Sequence, residues 1–210
     1  MLNSRKTRIA VLVSGGGTNL QALLDSQKSG GLHSGEIVLV ISNKPGAYAL
    51  TRAQQAGVEA LTLTRADCGG QEGFEKALID ALEQRGVELI ILAGFLSILS
   101  AYFTARWQNR ILNVHPSLIP SFCGKGFYGL RVHEAALQRG VKYTGATVHY
   151  VNQIPDGGEI LFQQPVPVLP GDTPETLQRR VMEQAEWILL PKAAELVSAN
   201  IQAEKEKERT

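Results

Sequence analysis

Three polar side chains in the second half of the chain have the chemistry that an acyl transfer needs. Asn113 and His115 stand two residues apart at the end of an apolar run, so an extended backbone directs both side chains to one side. Asp156 follows later, in a turn ahead of two glycines. An amide and a protonated imidazole can stabilise the oxyanion formed when an amine attacks a carbonyl carbon. A nearby carboxylate can favour the imidazolium and accept the proton of the amine.

Each of these residues also has a purely structural interpretation. His115 precedes a proline and could simply end a strand, and Asp156 could be a turn residue. Only the three residues together favour catalysis. His149 lies on an alternating strand and is predicted to be a structural or supporting histidine. His133, on a short helix, has the same interpretation, and His33 in a polar loop carries no signal.

The elements that must position these residues begin with short apolar runs that lack strict alternation. Such runs are typical of parallel strands covered on both faces, and they occur at 8–14, 36–42, 88–93 and 110–113. Helical spacing of apolar residues separates them, at 19–27, 47–56 and 74–85. This alternation predicts an α/β fold, with a doubly wound, mostly parallel sheet flanked by helices.

The pattern changes in the second half of the chain. A short helix is predicted at 132–139, followed by strands at 142–151 and 159–165 that extend the sheet with mixed direction. A long C-terminal helix is predicted at 172–200, with Asp172 as its cap, Pro174 in its first turn and a bend at Pro191. Residues 202–210 read as a charged solvated tail.

A glycine-rich loop joins the first predicted strand to the first helix. Residues 14–19 read Ser-Gly-Gly-Gly-Thr-Asn, and the three glycines would let backbone N–H groups approach an anion at the helix N-terminus. A phosphate would fit there. A dinucleotide fingerprint fits poorly, because Leu20 replaces its third glycine and no acidic residue ends the second strand. The loop also lacks the Gly-Lys-Ser/Thr of a nucleotide triphosphate loop. A tight turn without a ligand is the alternative.

Composition bounds the remaining possibilities. The chain has 210 residues and a net charge of +1, which argues against a broad nucleic-acid surface. A chain of this length is expected to form a single domain over 1–210. No apolar run approaches the roughly 20 residues that span a bilayer, so we also expect a cytoplasmic protein. Cys68 and Cys123 have neither disulfide-framework nor zinc-site spacing and are treated as incidental thiols. No metal site is predicted.

Several segments together resemble one known family over nearly the whole chain. They are VSGGGTNLQ at 13–21, LAGFL at 92–96, LNVHPSLIP at 112–120, GATVHYV at 145–151 and DGG at 156–158. In them the chain resembles the folate-dependent phosphoribosylglycinamide formyltransferases. The resemblance implies the formyltransferase fold. It also implies formyl transfer from 10-formyltetrahydrofolate, as co-substrate, to the amino group of glycinamide ribonucleotide, without a metal or a covalent intermediate.

The resemblance also implies roles for individual residues. The catalytic positions would be Asn113, His115 and Asp156. The substrate phosphate and ribose would be held by Gly16, Gly17, Thr18, Asn19 and Glu186. The pterin would lie against Leu96, Ser97, Ile98, Leu99, Asn152, Gln153, Ile154 and Pro155. The chain would thus divide into a phosphate-binding half, about 1–110, and a catalytic and folate-binding half, about 111–200.

The chain departs from the family pattern at several positions. Ser97 and Gln71 stand where an arginine is frequent, which predicts a weaker clamp on the folate glutamate tail. Residues 121–131 form a longer loop, and one residue is added between Asp172 and Glu186. The other departures are Gln153, Pro155 and Trp187.

Related activities give competing hypotheses. A 10-formyltetrahydrofolate hydrolase and a methionyl-tRNA formyltransferase would share the Asn-x-His and Asp pattern, but each is expected to need a further domain. A noncatalytic nucleotide- or folate-binding module is a third hypothesis. We expect small-molecule partners, no nucleic acid or membrane, and a monomer or homodimer.

Overall fold

Strands and helices alternate strictly up to the fifth strand in the computed structural model, which describes residues 5–208. The elements of this part are β1 Thr7–Val13, α1 Thr18–Ser29, β2 Gly35–Ser42, α2 Tyr48–Gln55, β3 Glu59–Thr62, α3 Gln71–Gln84, β4 Leu89–Leu92, α4 Ala101–Arg106 and β5 Ile111–His115. The remaining elements are α5 Leu130–Arg139, β6 Tyr143–Tyr150, β7 Ile160–Pro167, α6 Pro174–Val181, a π-helical segment Met182–Glu186 and α7 Trp187–Glu208.

The strands form one seven-stranded sheet in the order β3-β2-β1-β4-β5-β6-β7. The first five strands are parallel, whereas β6 runs antiparallel to both β5 and β7. The predicted doubly wound sheet with mixed C-terminal strands is therefore confirmed. Its carboxyl edge carries the loops after β1, β4 and β5, which is where open α/β sheets bind ligands.

Two hydrophobic layers cover the two faces of the sheet. Ile9, Val11 and Val13 of β1 pack with α1, α2 and α7, whereas Ala10 and Leu12 face α3 and α4. This division explains why β1 reads as a continuous apolar run, since both faces of its residues are buried. Among residues 5–208, no helix combines the length and apolar character needed to cross a membrane.

Two elements were not predicted from the sequence. Strand β3 lies at the edge of the sheet and its four residues are all at least partly exposed, so it lacks the apolar run that marks the buried strands. Helix α4 has six residues, too few to show a helical period. It is specified locally, because the hydroxyl of Ser100 caps it by accepting from the N–H of Phe103 at 3.2 Å.

The prediction that Asp172 caps the C-terminal helix is wrong. Thr173 is the N-cap: its hydroxyl accepts from the N–H of Thr176, whose own hydroxyl accepts from the N–H of Thr173 at 2.9 Å. This reciprocal arrangement is a capping box. Asp172 instead binds the guanidinium of Arg180 through two bonds of 2.6 Å, which holds the pKa of that carboxyl well below its usual range.

The C-terminal helix also extends further than predicted. Helix α7 continues to Glu208, so residues 202–208 are helical and not a free tail; residues 209 and 210 lie outside the described part. Two charged residues of this stretch form ion pairs: Glu204 accepts from Arg110 at 2.6 Å, and Lys205 contacts Glu88. Pro191 lies within α7, where it cannot donate a backbone hydrogen bond.

Candidate active site

The end of β5 places Asn113 and His115 beside β6. Asn113 lies opposite His149 in the antiparallel ladder, and His115 lies opposite Thr147. Beyond β6 the chain turns at Asp156, which has a left-handed backbone, with φ of 54°. The structure therefore brings the three predicted catalytic residues together, and it adds His149 to them.

His149 connects the amide to the carboxylate. Its Nδ1 lies 2.7 Å from the carbonyl of Tyr150, which can only accept, so this nitrogen carries a proton. Its Nε2 lies 3.2 Å from Nδ2 of Asn113 and 3.6 Å from Oδ1 of Asp156. Nε2 therefore lies between the Asn113 amide and the Asp156 carboxylate, and these contacts orient the ring and the carboxamide relative to each other. His149 was predicted to be structural or supporting, and these contacts make it part of the cluster.

The loop at residues 121–131 holds His115 and Asp156 in place. Nε2 of His115 lies 2.9 Å from the carbonyl of Phe122, and Nδ1 lies 3.6 Å from Oδ2 of Asp156. The same carboxylate oxygen accepts from the N–H of Gly124 at 2.8 Å. This loop therefore contributes backbone partners to two of the candidate catalytic residues.

The Asp156 carboxyl is ionised in this setting. Burial would raise the pKa of Asp156, but His149, His115 and the N–H of Gly124 together hold that pKa below its usual range.

His133 lies fully buried on α5, where burial and the neighbouring His115 lower its pKa to about 4. Burial also raises the pKa of the Cys123 thiol, which disfavours the thiolate that a nucleophile would need.

A cavity of about 130 Å³ opens beside the cluster. Asn113, His149 and Asp156 line it, while His115 is buried behind them with an exposed fraction of 4%. Most of the residues predicted for the pterin line the same cavity, and they are Ser97, Ile98, Leu99, Asn152, Gln153, Ile154 and Pro155. Leu96 does not line it.

A ring of hydrogen bonds ties this cavity to the glycine-rich loop. Ser14, where that loop begins, donates to Oδ1 of Asn43 at 2.7 Å, and Nδ2 of Asn43 donates to Ser97 at 2.6 Å. The N–H of Leu96 closes the ring by donating to the hydroxyl of Ser14 at 2.9 Å. Nε2 of Gln71 donates to the carbonyl of Ile98 at 3.2 Å, so it supports the same segment. The sequence gives no signal for Asn43 beyond its position after a strand.

Gly17 is required by packing as well as by backbone conformation. Its φ is 74°, and a side-chain carbon added there would lie 2.6 Å from Cβ of Ala49 on α2. A carbon added at Gly15 or Gly16 would meet nothing within 4 Å. From the sequence, Gly17 was expected to be a glycine so that the backbone could approach a ligand. The structure gives a second reason, because α2 leaves no room for a side chain at this position.

Glu186 and Asn19 form a buried pair beside the glycine-rich loop. Nδ2 of Asn19 donates to the Glu186 carboxyl at 2.7 Å, and Oδ1 of Asn19 has no partner within residues 5–208. Burial raises the pKa of Glu186 to about 7, although the Asn19 amide opposes that shift. Thr18 contacts Met182 in the same π-helical segment, with 3.8 Å between its hydroxyl and the sulfur. The start of α1, which follows the glycine-rich loop, therefore meets the π-helical segment that carries Glu186.

A second cavity, of about 400 Å³, lies along the first turns of α1. Its lining residues are Thr18, Gln21, Ala22, Asp25, Arg52 and Trp187. Arg52 was not predicted from the sequence, because a single arginine on a helix carries no signal. Within residues 5–208, no group of His, Cys, Asp and Glu side chains could hold a metal ion.

Comparisons with known proteins agree with this geometry. Residues 7–193 match a family model described as formyl transferase. The trifunctional purine biosynthetic protein adenosine-3 of Gallus gallus is 45% identical over 198 residues, which are 94% of this chain but 19% of that protein. The chain thus spans about a fifth of the length of that relative. The phosphoribosylglycinamide formyltransferase of Haemophilus influenzae is 41% identical over 84% of this chain and 81% of its own.

Solved structures give the same result. The crystal structure of glycinamide ribonucleotide transformylase 1 from Symbiobacterium toebii superposes with a TM-score of 0.87. It is 42% identical, and the match covers 93% of this chain and 89% of that one. Because the family model matches residues 7–193, and relatives at about 40% identity match most of the chain in sequence and in fold, the chain belongs to the formyl transferase family.

Proposed function

We propose that the chain transfers the formyl group of 10-formyltetrahydrofolate to the amino group of glycinamide ribonucleotide. The products are formylglycinamide ribonucleotide and tetrahydrofolate, in purine biosynthesis. One observation carries the proposal: Asn113, His149 and Asp156 line a single cavity whose other walls are the two segments expected to bind the pterin. Relatives that bear the name of this enzyme at about 40% identity support it.

The cluster performs the reaction through charge stabilisation and proton transfer. The neutral amine attacks the formyl carbon, and Asn113 and His115 donate to the resulting oxyanion. Both nitrogens of His115 face protein groups, Phe122 and Asp156, so one of these contacts opens when the formyl oxygen binds. The Asp156 carboxylate receives the proton from the attacking nitrogen, directly or through water. The C–N bond to the folate then breaks, and the folate nitrogen takes up a proton.

The two substrates occupy the two ends of the site. The N–H groups of Gly16, Gly17 and Thr18 receive the ribonucleotide phosphate at the start of α1, where the helix dipole favours an anion. Asn19 and Glu186 bind the ribose hydroxyls. The pterin enters the smaller cavity and is recognised mainly by backbone groups of the segments 96–99 and 152–155.

One assay tests the reaction. Purified protein is incubated with 10-formyltetrahydrofolate, with and without glycinamide ribonucleotide, and tetrahydrofolate release is followed. We expect release only when the acceptor is present, with formylglycinamide ribonucleotide as the second product. Release without the acceptor, accompanied by formate, would identify a hydrolase. Tight binding of either substrate without release would identify a noncatalytic module.

A further inference from the structure

The glycine-rich loop has all three of its glycine carbonyls bound. The N–H of Ala49 donates to the carbonyl of Gly15 at 3.1 Å, and Nε of Arg52 donates to that of Gly16 at 2.8 Å. The carbonyl of Gly17 accepts from the N–H of Gln21 at 2.9 Å, which is the first hydrogen bond of α1. Helix α2 therefore fixes two of the three peptide planes.

These bonds determine where the loop N–H groups point. In a trans peptide the C=O of one residue and the N–H of the next lie in one plane and point in opposite directions. The N–H groups of Gly16 and Gly17 are consequently turned away from α2. The N–H of Thr18 points out of the N-terminus of α1, where the first helical donors have no partner in the helix. The hydrogen bonds to the three glycine carbonyls thus direct the N–H groups of Gly16, Gly17 and Thr18 toward a ligand at the start of α1.

Arg52 carries a charge that no carboxylate balances directly. Nη1 donates to Oε1 of Gln21 at 2.9 Å, and the guanidinium lies 4.9 Å from the centroid of the Tyr48 ring. Within residues 5–208, no carboxylate forms an ion pair with it; Asp25 binds the opposite end of the Gln21 amide, at 2.9 Å. Neutral acceptors and an aromatic face therefore hold a cation beside an anion-binding loop.

We infer that Arg52 is a positioning residue for the phosphate of the acceptor, an inference that rests on the proposed function. It acts in two ways. By binding the carbonyl of Gly16 it fixes the N–H of Gly17 before the ligand arrives, so less ordering accompanies binding. Its positive charge at the carbonyl end polarises that peptide, which strengthens the N–H as a donor, and also attracts the anion through space.

The first test measures anion binding without any reaction. The backbone amides of Gly16, Gly17 and Thr18 are followed by NMR while inorganic phosphate is added to the wild type and to Arg52→Met, Arg52→Gln and Arg52→Lys. We expect about tenfold weaker phosphate binding in Arg52→Met, because both the charge and the carbonyl contact are lost. Arg52→Lys should retain most of the affinity, and Arg52→Gln, which keeps only a donor, should lie between them.

Arg139→Met is the matched control. It removes the same charge from the exposed last turn of α5, and within residues 5–208 Arg139 forms no hydrogen bond or ion pair with the glycine-rich loop. This variant should bind phosphate like the wild type. Equal phosphate affinity in the wild type and in a folded Arg52→Met would overturn the inference, as would equal losses in the Lys and Met variants.

The second test separates the inference from the proposed reaction. In Arg52→Met the KM for glycinamide ribonucleotide should rise about tenfold while kcat changes by less than about twofold, since phosphate binding is weakened equally in the ground state and in the transition state. The same acceptor without its phosphate should be used equally by both proteins. An equal loss with that acceptor would indicate general damage and overturn the inference. Weaker phosphate binding in a protein that shows no formyl transfer would instead refute the proposed function alone.

Discussion

The two ends of the candidate site are built in different ways. At the glycine-rich loop the donors are backbone N–H groups, and their directions follow from carbonyl bonds to α2 and to the first turn of α1. At the cluster of Asn113, His115, His149 and Asp156 the groups proposed to react are side chains, held by a neighbouring strand and by the loop 121–131.

This difference separates binding from chemistry. A backbone site presents fixed dipoles of one sign and changes little with pH, which suits a phosphate that is held and never altered. The side-chain cluster contains an ionised carboxylate and two imidazoles within 3.6 Å of it, so it can exchange protons. Substitutions at the cluster should therefore reduce kcat, and substitutions at the loop should raise KM.

The largest effect is expected at the two proposed oxyanion donors, Asn113 and His115. Asn113→Ala and His115→Ala should each lower kcat by on the order of a hundredfold or more, with little change in substrate affinity, because their contacts strengthen in the transition state. Steady-state kinetics with both substrates would measure this. Near-normal kcat in either folded variant would break the proposed division between the two ends.

Asp156→Asn should give the next largest loss, with kcat reduced at least about tenfold by removal of the proton acceptor. The variant keeps the size of the side chain and one acceptor oxygen for the N–H of Gly124. Because the pKa of Asp156 is held below its usual range, this carboxylate becomes protonated only when pH falls below that range. A kcat that is the same in both proteins at neutral pH would leave Asp156 as a turn residue.

Gly17 and Gly16 provide a matched pair at the other end. Gly17→Ala should destabilise the fold by about 1–3 kcal/mol, through its left-handed backbone and its contact with Ala49, and should raise the KM for the ribonucleotide. Gly16→Ala should fold normally, since its added carbon meets nothing within 4 Å. Urea unfolding measures the first effect. Equal stability of the two variants would contradict the packing explanation.

Glu186 should make the stability of the protein depend on pH. Its pKa is raised to about 7 in the fold, so the buried carboxyl is protonated at acidic pH and its burial opposes folding as pH rises from about 4.5 through 7. Glu186→Gln should therefore gain stability relative to the wild type between pH 5 and pH 8, by at most about 3 kcal/mol. A difference that is constant over this range would contradict the raised pKa.

The smallest effect concerns Ser97. An arginine there would add a cation beside the smaller cavity, and we expect modestly tighter binding of glutamylated folate that fades with added salt. The gain is offset, because Ser97 also accepts from Asn43 at 2.6 Å. Ser97→Ala is the control that removes this bond without adding charge. If Ser97→Arg binds glutamylated folate at low salt with the same affinity as the wild type, the glutamate tail does not pass near residue 97.

Much of the fold was predictable because residues close together in the sequence form patterns that are typical of strands, helices and loops. Buried parallel strands read as apolar runs, and the loop after β1 reads as a glycine-rich anion site. The edge strand β3 and the short helix α4 were not predicted, since β3 is partly exposed and α4 is shorter than two helical turns.

The candidate site was predictable only in part, for a related reason. The spacing of Asn113 and His115 suggested a shared direction, and the family resemblance supplied most of the other positions. The contact between His149 and Asn113 depends on the register between β5 and β6, and the bond from Arg52 to the carbonyl of Gly16 depends on how α2 packs on the loop. Contacts of this kind arise between elements and have no period or spacing in the sequence.

The π-helical segment Met182–Glu186 affects the direction in which the residues after it face around the helix axis. The family resemblance places one extra residue between Asp172 and Glu186, and in a regular α-helix an added residue turns everything beyond it by about 100°. A wider turn takes up such a residue locally, as π-bulges within α-helices do. In the structure Glu186 faces Asn19 at the end of this wider turn, and α7 packs its apolar side on the sheet. We propose that the wider turn takes up the residue that the family resemblance implies has been added, so that the phase of the helix is unchanged.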